Sequence, residues 1–147
     1  MVYISKFAEE IDSSKDDVFK VLENVVNTWD KVKEIDEINE TEQSVYFRYK
    51  TGGFNKCWIR VCLKEISDNK TKVCYVLEWS ANPGGNTSIL DNTLHNIVSE
   101  LHLQLLSGLG KDDLVKEFKS GQTKNRAITL LCVGVILIFV FVVFIMK

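Results

Sequence analysis

The sequence predicts an α+β fold: a strand, a helix, four antiparallel strands and a long helix, followed by one transmembrane helix. Three observations carry this. Two stretches repeat their apolar residues at helical spacing, and between them the chain alternates apolar and polar residues with turn residues at short intervals. The last segment, Ala127 to Met146, holds twenty residues without a charge. At ~1.5 Å rise per residue they would span ~30 Å, the thickness of a bilayer hydrocarbon core.

Val2 to Ile11 is rich in β-formers, with Tyr3, Ser5, Phe7, Glu9 and Ile11 on one parity and Val2, Ile4 and Ala8 on the other. This predicts a strand with both faces partly covered. Asp12-Ser13-Ser14 then supplies capping oxygens, and Asp16 and Asp17 suit the positive end of a helix dipole. Val18, Leu22, Val25 and Trp29 follow at spacings of four, three and four, so a helix over about residues 14–27 buries one stripe. Val32 to Ile38 is acidic and weakly patterned, and is read as a strand.

Val45 to Thr51 alternates Val45, Phe47 and Tyr49 against Tyr46, Arg48 and Lys50. Gly52-Gly53 marks a turn. Cys57 to Ile66 sets Ile59, Val61 and Leu63 opposite Trp58, Arg60, Cys62 and Lys64, and Val73, Tyr75, Leu77 and Trp79 mark the next strand. Such a meander can face a core on one side only. Asn82-Pro83-Gly84-Gly85 breaks the sheet. Thr87 or Ser88 caps a second helix, along which Leu90, Leu94, Ile97, Leu101 and Leu105 form one stripe, and Gly108 and Gly110 end it. Three parts follow from this reading: a domain over residues 1–110, a charged linker over 111–126 with a short helix from Asp112 to Lys119, and the anchor over 127–146.

Charge and cysteines narrow the function. The chain carries a net −2. Residues 1–110 hold 12 Lys/Arg against 17 Asp/Glu, a net −5, which disfavours nucleic acid as a partner. Lys119, Lys124 and Arg126 precede the apolar stretch and only Lys147 follows it. The positive-inside rule then puts the N-terminal domain in the cytoplasm of a single-pass, tail-anchored protein. The beginning of the chain lacks the basic segment and apolar run of a secretory signal. Cys57, Cys62, Cys74 and Cys132 form no CxxC pair and lack a nearby histidine at metal-ligand spacing, so reduced thiols are expected and no metal or cofactor.

The order of elements resembles the START/polyketide-cyclase-like helix-grip superfamily, also called SRPBCC. The likeness rests on the first strand running through Glu10-Ile11-Asp12-Ser13-Ser14-Lys15-Asp16-Asp17-Val18-Phe19 into a helix, with Trp29 after it. It extends as topology over residues 1–108. Five strands stand where that superfamily usually has more, and there is no second short helix after the first. The resemblance implies an apolar ligand, a lipid among the options, held between the sheet and the last helix.

Two residue sets are candidate sites. Tyr49, Tyr75, Trp79, Ile97 and Leu101 would line an apolar pocket on the concave face; the same residues equally suit a filled core. On the opposite face Tyr46, Arg48, Trp58 and Arg60 interleave aromatic and basic groups, which suits an acidic protein partner or anionic headgroups, or a plain solvated face. His95 and His102 lie seven apart beside the apolar stripe, with no third ligand, and are read as rim histidines. No nucleophile elbow, phosphate loop or Cys–His pair supports an enzyme. The expectation is a binding module at the bilayer. A protein-interaction module with a packed core is the alternative.

Overall fold

A computed structural model describes residues 2–51, 56–80 and 87–121. The Gly52-Gly53 turn, the Asn82 to Gly85 break, Cys132 and the apolar stretch Ala127 to Met146 lie outside these. Five strands and two helices follow in the order β1 (Val2–Ile11), α1 (Lys15–Thr28), β2 (Val32–Asn39), β3 (Ser44–Tyr49), β4 (Lys56–Ser67), β5 (Lys70–Ser80) and α2 (Thr87–Gly108). All seven belong to one compact unit, Met1–Gly110. Residues 112–121 form a further helix in the unit that follows. Among the described residues no helix is long and apolar enough to cross a membrane.

The strands pair antiparallel in the order β1-β5-β4-β3-β2. Strands β2 to β5 join their sequence neighbours, as a meander must. β1 returns to pair with β5 from Val2↔Ser80 to Ile11↔Thr71, which puts the two most distant strands side by side. Apolar alternation sets the register: Val45, Phe47, Cys57, Ile59, Val61, Val73, Tyr75, Leu77 and Trp79 all fall on the buried face. A slip of one residue would turn each of them to solvent.

Two strands depart from the sequence expectation. The Val2, Ile4 and Ala8 parity of β1 is open rather than partly covered, with Val2 59% and Ile4 56% exposed. β1 is an edge strand whose partner β5 lies on one side only, and both helices sit on the opposite face. β2 lacks a clear period because its pairing shifts between Val32 and Glu34 and again between Ile35 and Glu37. Each irregularity advances the side-chain phase, so Val32, Ile35 and Ile38 face the same way at spacings of three.

Ser14 caps α1, its hydroxyl accepting from the Asp17 amide at 3.2 Å. The helix ends where Trp29 turns extended while its amide still donates to the Val25 carbonyl at 2.8 Å. Trp29 is thus the cap and not the last turn, and its ring packs at 59° on Tyr49, 5.6 Å between centroids. Thr71 Oγ donates to the Ser13 carbonyl at 2.8 Å, fastening the entry of α1 to β5. Val18, Leu22, Val25 and Val26 point into the sheet, and α1 touches β2 through β5. α2 packs on α1 and β1 and buries Leu94, Ile97, Leu101 and Leu105. Each fully buried leucine there contributes roughly 1.5–3 kcal/mol.

The two glycines after this stripe do different things. Gly110 takes φ +69°, the left-handed conformation that follows a helix C-terminus. Gly108 is still helical, and a β-carbon there would stand 2.5 Å from Val21 Cγ1 of α1. Alanine normally favours a helix by about 1 kcal/mol over glycine. Here Gly108→Ala is expected to lower stability by about 1–3 kcal/mol through overpacking. Val21→Ala in the same chain should recover most of it, read by urea unfolding; a more stable single variant would refute the close approach.

Candidate functional site

The inner face of the sheet is laid out in rows across the strands. The outermost row is Tyr49–Cys57–Trp79–Tyr3, followed by Phe47–Ile59–Leu77 and then Val45–Val61–Tyr75. α2 crosses the first row with Thr93, Asn96, Ile97 and Glu100, spaced so that all four share one side of the helix. Between row and helix lies an open cleft of about 320 Å³ lined by Tyr49, Lys50, Thr51, Trp79, Thr93, Asn96, Ile97 and Glu100. Its floor is aromatic and aliphatic and its rim polar.

The rim is held by charge. Lys31, at the start of the β2 segment, reaches Glu100 with Nζ 2.6 Å from Oε1 and 2.8 Å from Oε2. That bond raises the ammonium pKa. Tyr49 sits beside the pair, half-buried, and burial raises its phenol above the usual tyrosine value while Lys31 opposes the rise. Lys50 Nζ donates to the Asp30 carbonyl at 3.2 Å and its amide to the Lys31 carbonyl at 2.8 Å, which pins β3 against the α1–β2 connection. On the far side Tyr3 donates to Asp91 Oδ1 at 2.5 Å, tying β1 to the first turns of α2.

Of the five concave-face candidates, Tyr49, Trp79 and Ile97 come together in this cleft. Tyr75 and Leu101 do not line it; both are fully buried in the interior. Tyr75 lies four residues from Trp79 along β5, ~13 Å deeper at strand rise. Its hydroxyl meets His102 Nδ1 at 3.2 Å, a bond the hydroxyl donates when that nitrogen carries no proton. His102 is therefore an interior residue, 5% exposed, and not a rim histidine. α2 turns it inward between Leu101 and Leu105, next to the sheet's only buried tyrosine among the described residues. His95 is exposed on α2, its ring 5.8 Å from that of Phe7.

Lys31, Thr51, Thr93, Asn96 and Glu100 were not legible as site residues, and Lys50, which the alternation assigns to the outer face with Tyr46 and Arg48, lines the cleft instead. The one available signal was the polar flank Thr93, Asn96 and Glu100, which recurs at 3 and 4 alongside Ile97. Lys31 belongs to the weakly patterned β2 region and meets Glu100 only through the tertiary fold.

The opposite face carries a ladder rather than a row of free groups. Arg60 lies over Tyr46 at 4.4 Å, Tyr46 stacks on Trp58 at 5.1 Å, and Arg48 lies 5.6 Å from the Trp58 ring. Carboxylates close it: Glu34 pairs Arg48 at 2.9 Å, Glu37 pairs Arg60 at 3.6 Å, and Tyr46 donates to Glu78 at 3.3 Å. Trp58 is half-buried within this ladder rather than fully exposed. A second, polar hollow of about 510 Å³ lies at the other end of the sheet among Ser14, Lys15, Asp16, Glu40, Thr41, Gln43, Glu65 and Asp68. Among the described residues no group of three or more His, Cys, Asp or Glu could hold a metal ion.

No family model matches the chain, and no curated protein matches it. Solved structures do. The di-domain ARO/CYC protein BexL of the BE-7585A biosynthetic pathway aligns with TM-score 0.57 at 15% identity, over 74% of this chain and 46% of BexL, so the chain spans less than half of that protein. Ara h 8.0201 aligns with TM-score 0.57 at 10% identity, over 75% of this chain and 99% of its own. Norcoclaurine synthase from Thalictrum flavum, solved with dopamine and hydroxybenzaldehyde, aligns with TM-score 0.54 at 8% identity, over 76% and 88%. At these identities the likeness is one of fold. The domain shares with these proteins the helix-grip fold, an antiparallel sheet covered on one face by helices.

Burial lowers the pKa of His102, against the opposing charge of Glu9 on β1. A histidine with a depressed folded pKa leaves stability intact above its unfolded value of about 6.5. As pH falls below that value the unfolded chain takes up a proton that the folded one refuses, and stability drops until the folded pKa is passed. The urea midpoint should thus fall between pH 7 and pH 5 in the wild type, and much less in His102→Gln. Equal slopes in the two proteins would show that His102 does not titrate in this way. Tyr75→Phe, which removes the bond to the ring, should cost about 1 kcal/mol at pH 7.

Proposed function

We propose that the chain is a membrane-tethered binding module that presents a helix-grip domain at the cytoplasmic leaflet and takes a small apolar or amphipathic ligand in the Tyr49–Trp79–Ile97 cleft. The cleft is the observation that carries this reading. Its volume lies at the lower end of small-molecule sites, which run roughly 300–1,000 Å³, and its apolar floor with a polar rim suits a ring or short chain bearing a polar end. The interior behind it is filled by Tyr75, Phe47 and Leu101, so among the described residues the cleft suits a compact ligand better than a long acyl chain. Norcoclaurine synthase is a helix-grip neighbour solved with two small aromatic compounds, a ligand size that such a cleft accommodates.

Tethering rests on the uncharged twenty residues 127–146 and on the basic flank before them. A linker of sixteen residues, 111–126, reaches ~20–25 Å as coil, and less where residues 112–121 are helical. A domain held that close to one leaflet works as a sensor, presenter or scaffold there. It is poorly suited to carrying cargo between membranes.

The packed interior also favours a second reading, a protein-interaction module without ligand that uses the Tyr46–Trp58 ladder. The two separate experimentally. Native mass spectrometry and organic extraction of the full chain purified in detergent should yield a bound small molecule, and Ile97→Trp, which fills the cleft, should lose it while keeping the circular dichroism of the wild type. Failure to find any bound mass sinks the ligand reading. Under the second reading Trp58→Ala changes the set of proteins recovered from solubilised membranes and Ile97→Trp does not.

A further inference from the structure

Cys62 and Cys74 are twelve positions apart and share no sequence motif, yet the register of β4 and β5 makes them direct partners. Both side chains stand on the outer face, away from the helices, partly exposed and as free thiols. The Leu63 amide donates to the Gln43 carbonyl, so odd-numbered residues of β4 bond toward β3 and even-numbered ones toward β5. The Cys62–Cys74 pair is therefore a hydrogen-bonded one, with an α-carbon separation of ~5.5 Å. Disulfides accept α-carbon separations of about 4.4–6.8 Å. Their β-carbons sit closer, at about 3.5–4.5 Å, than the roughly 5.5 Å at the wide end of cross-strand pairs.

We propose that Cys62 and Cys74 are a redox-responsive dithiol that closes to a cross-strand disulfide by exchange with a low-molecular-weight disulfide of the oxidised-glutathione class. One protein thiolate attacks a sulfur of the small disulfide, forming a mixed disulfide and expelling one small thiolate. The second protein thiolate attacks the protein-borne sulfur, forms the Cys62–Cys74 bond and expels the other. The pair gives up two protons and two electrons, and the small disulfide leaves as two thiols. Drawing the β-carbons together strains the ladder, and strained disulfides are the easily reduced, regulatory kind. The closed form clamps β4 to β5 two residues from Arg60, at the edge of the aromatic ladder.

The remaining described cysteine sets the contrast. Cys57 is on the inner face, fully buried, and burial pushes its thiol up to about 12. It has no cysteine opposite it: its partners in register are Tyr49 and Trp79. Burial also raises Cys62, but Arg60 pulls it down, and the closeness of Cys74 registers as a further rise.

Trypsin makes the test direct, because cleavage after Arg60, Lys64 and Lys72 places the two cysteines on separate peptides. The full chain in detergent is equilibrated with oxidised and reduced glutathione, quenched with acid, digested and mapped by mass spectrometry. The expected result is the peptide Val61–Lys64 linked to the peptide that begins at Val73, loss of alkylation at both cysteines together, and recovery of both on adding dithiothreitol. Cys62→Ser and Cys74→Ser should each abolish the link and leave the other cysteine as a glutathione adduct, with unchanged circular dichroism. Glutathione on both wild-type cysteines without a link overturns the proposal. So does a link to Cys57, or one formed only between chains.

Discussion

Covering one face of a five-stranded sheet with two helices is the constraint on which the rest of this structure depends. β5 bears most of it. It is paired on both sides, between the edge strand β1 and the central strand β4, and Val73, Tyr75, Leu77 and Trp79 form its column of the buried face. Because β1 and β4 both take their register from β5, the placement of every inner row follows from its alternation. α1 seals the far rows with Val18, Leu22 and Val26, and α2 lies across the near ones. Where the helix stripe changes from leucine to Thr93, Asn96 and Glu100, the seal ends and the cleft begins.

Interior and cleft divide the concave face by size and polarity. Deep in the sheet, Tyr75 and His102 satisfy one another, so the buried polar atoms stabilise a closed core in place of a cavity. At the mouth, Lys31 and Glu100 form an ion pair that remains about a third exposed on both sides. Solvent screens such a pair, and its worth in stability is at most about 1 kcal/mol. Its larger effect is geometric: it holds the α1–β2 connection to α2 and keeps the rim of the cleft in place. Among the described residues the concave face thus carries an open cleft at its mouth and a filled interior behind it.

The outer face is organised by the same register. Cross-strand neighbours there are Glu34–Arg48–Trp58–Glu78 and Glu37–Tyr46–Arg60, which alternate acid, base and aromatic across the sheet. Opposite charges and stacked rings in direct register each contribute roughly 0.2–1 kcal/mol. They also consume the cationic groups that would otherwise meet an acidic partner. The next row holds Ser44, Cys62 and Cys74, so the dithiol and the ladder are products of one pairing pattern.

Much of the architecture was legible in the chain itself. Alternation over Val45–Tyr49, Cys57–Leu63 and Val73–Trp79 determined which side chains face inward, since a strand has only two faces. The stripes beginning at Val18 and Leu90 determined the two helices for the corresponding reason at a period of 3.6. The apolar run 127–146 is likewise a property of sequence alone. What the sequence could not determine was who stands next to whom across strands and between helix and sheet. Pairing of Cys62 with Cys74, of Lys31 with Glu100 and of Tyr75 with His102 joins residues 12, 69 and 27 positions apart, and periodicity carries no information about partners at such separations. His102 illustrates the limit: its position beside an apolar stripe suits the rim or the core equally, and the tertiary structure decided for the core by placing a tyrosine hydroxyl there to meet it.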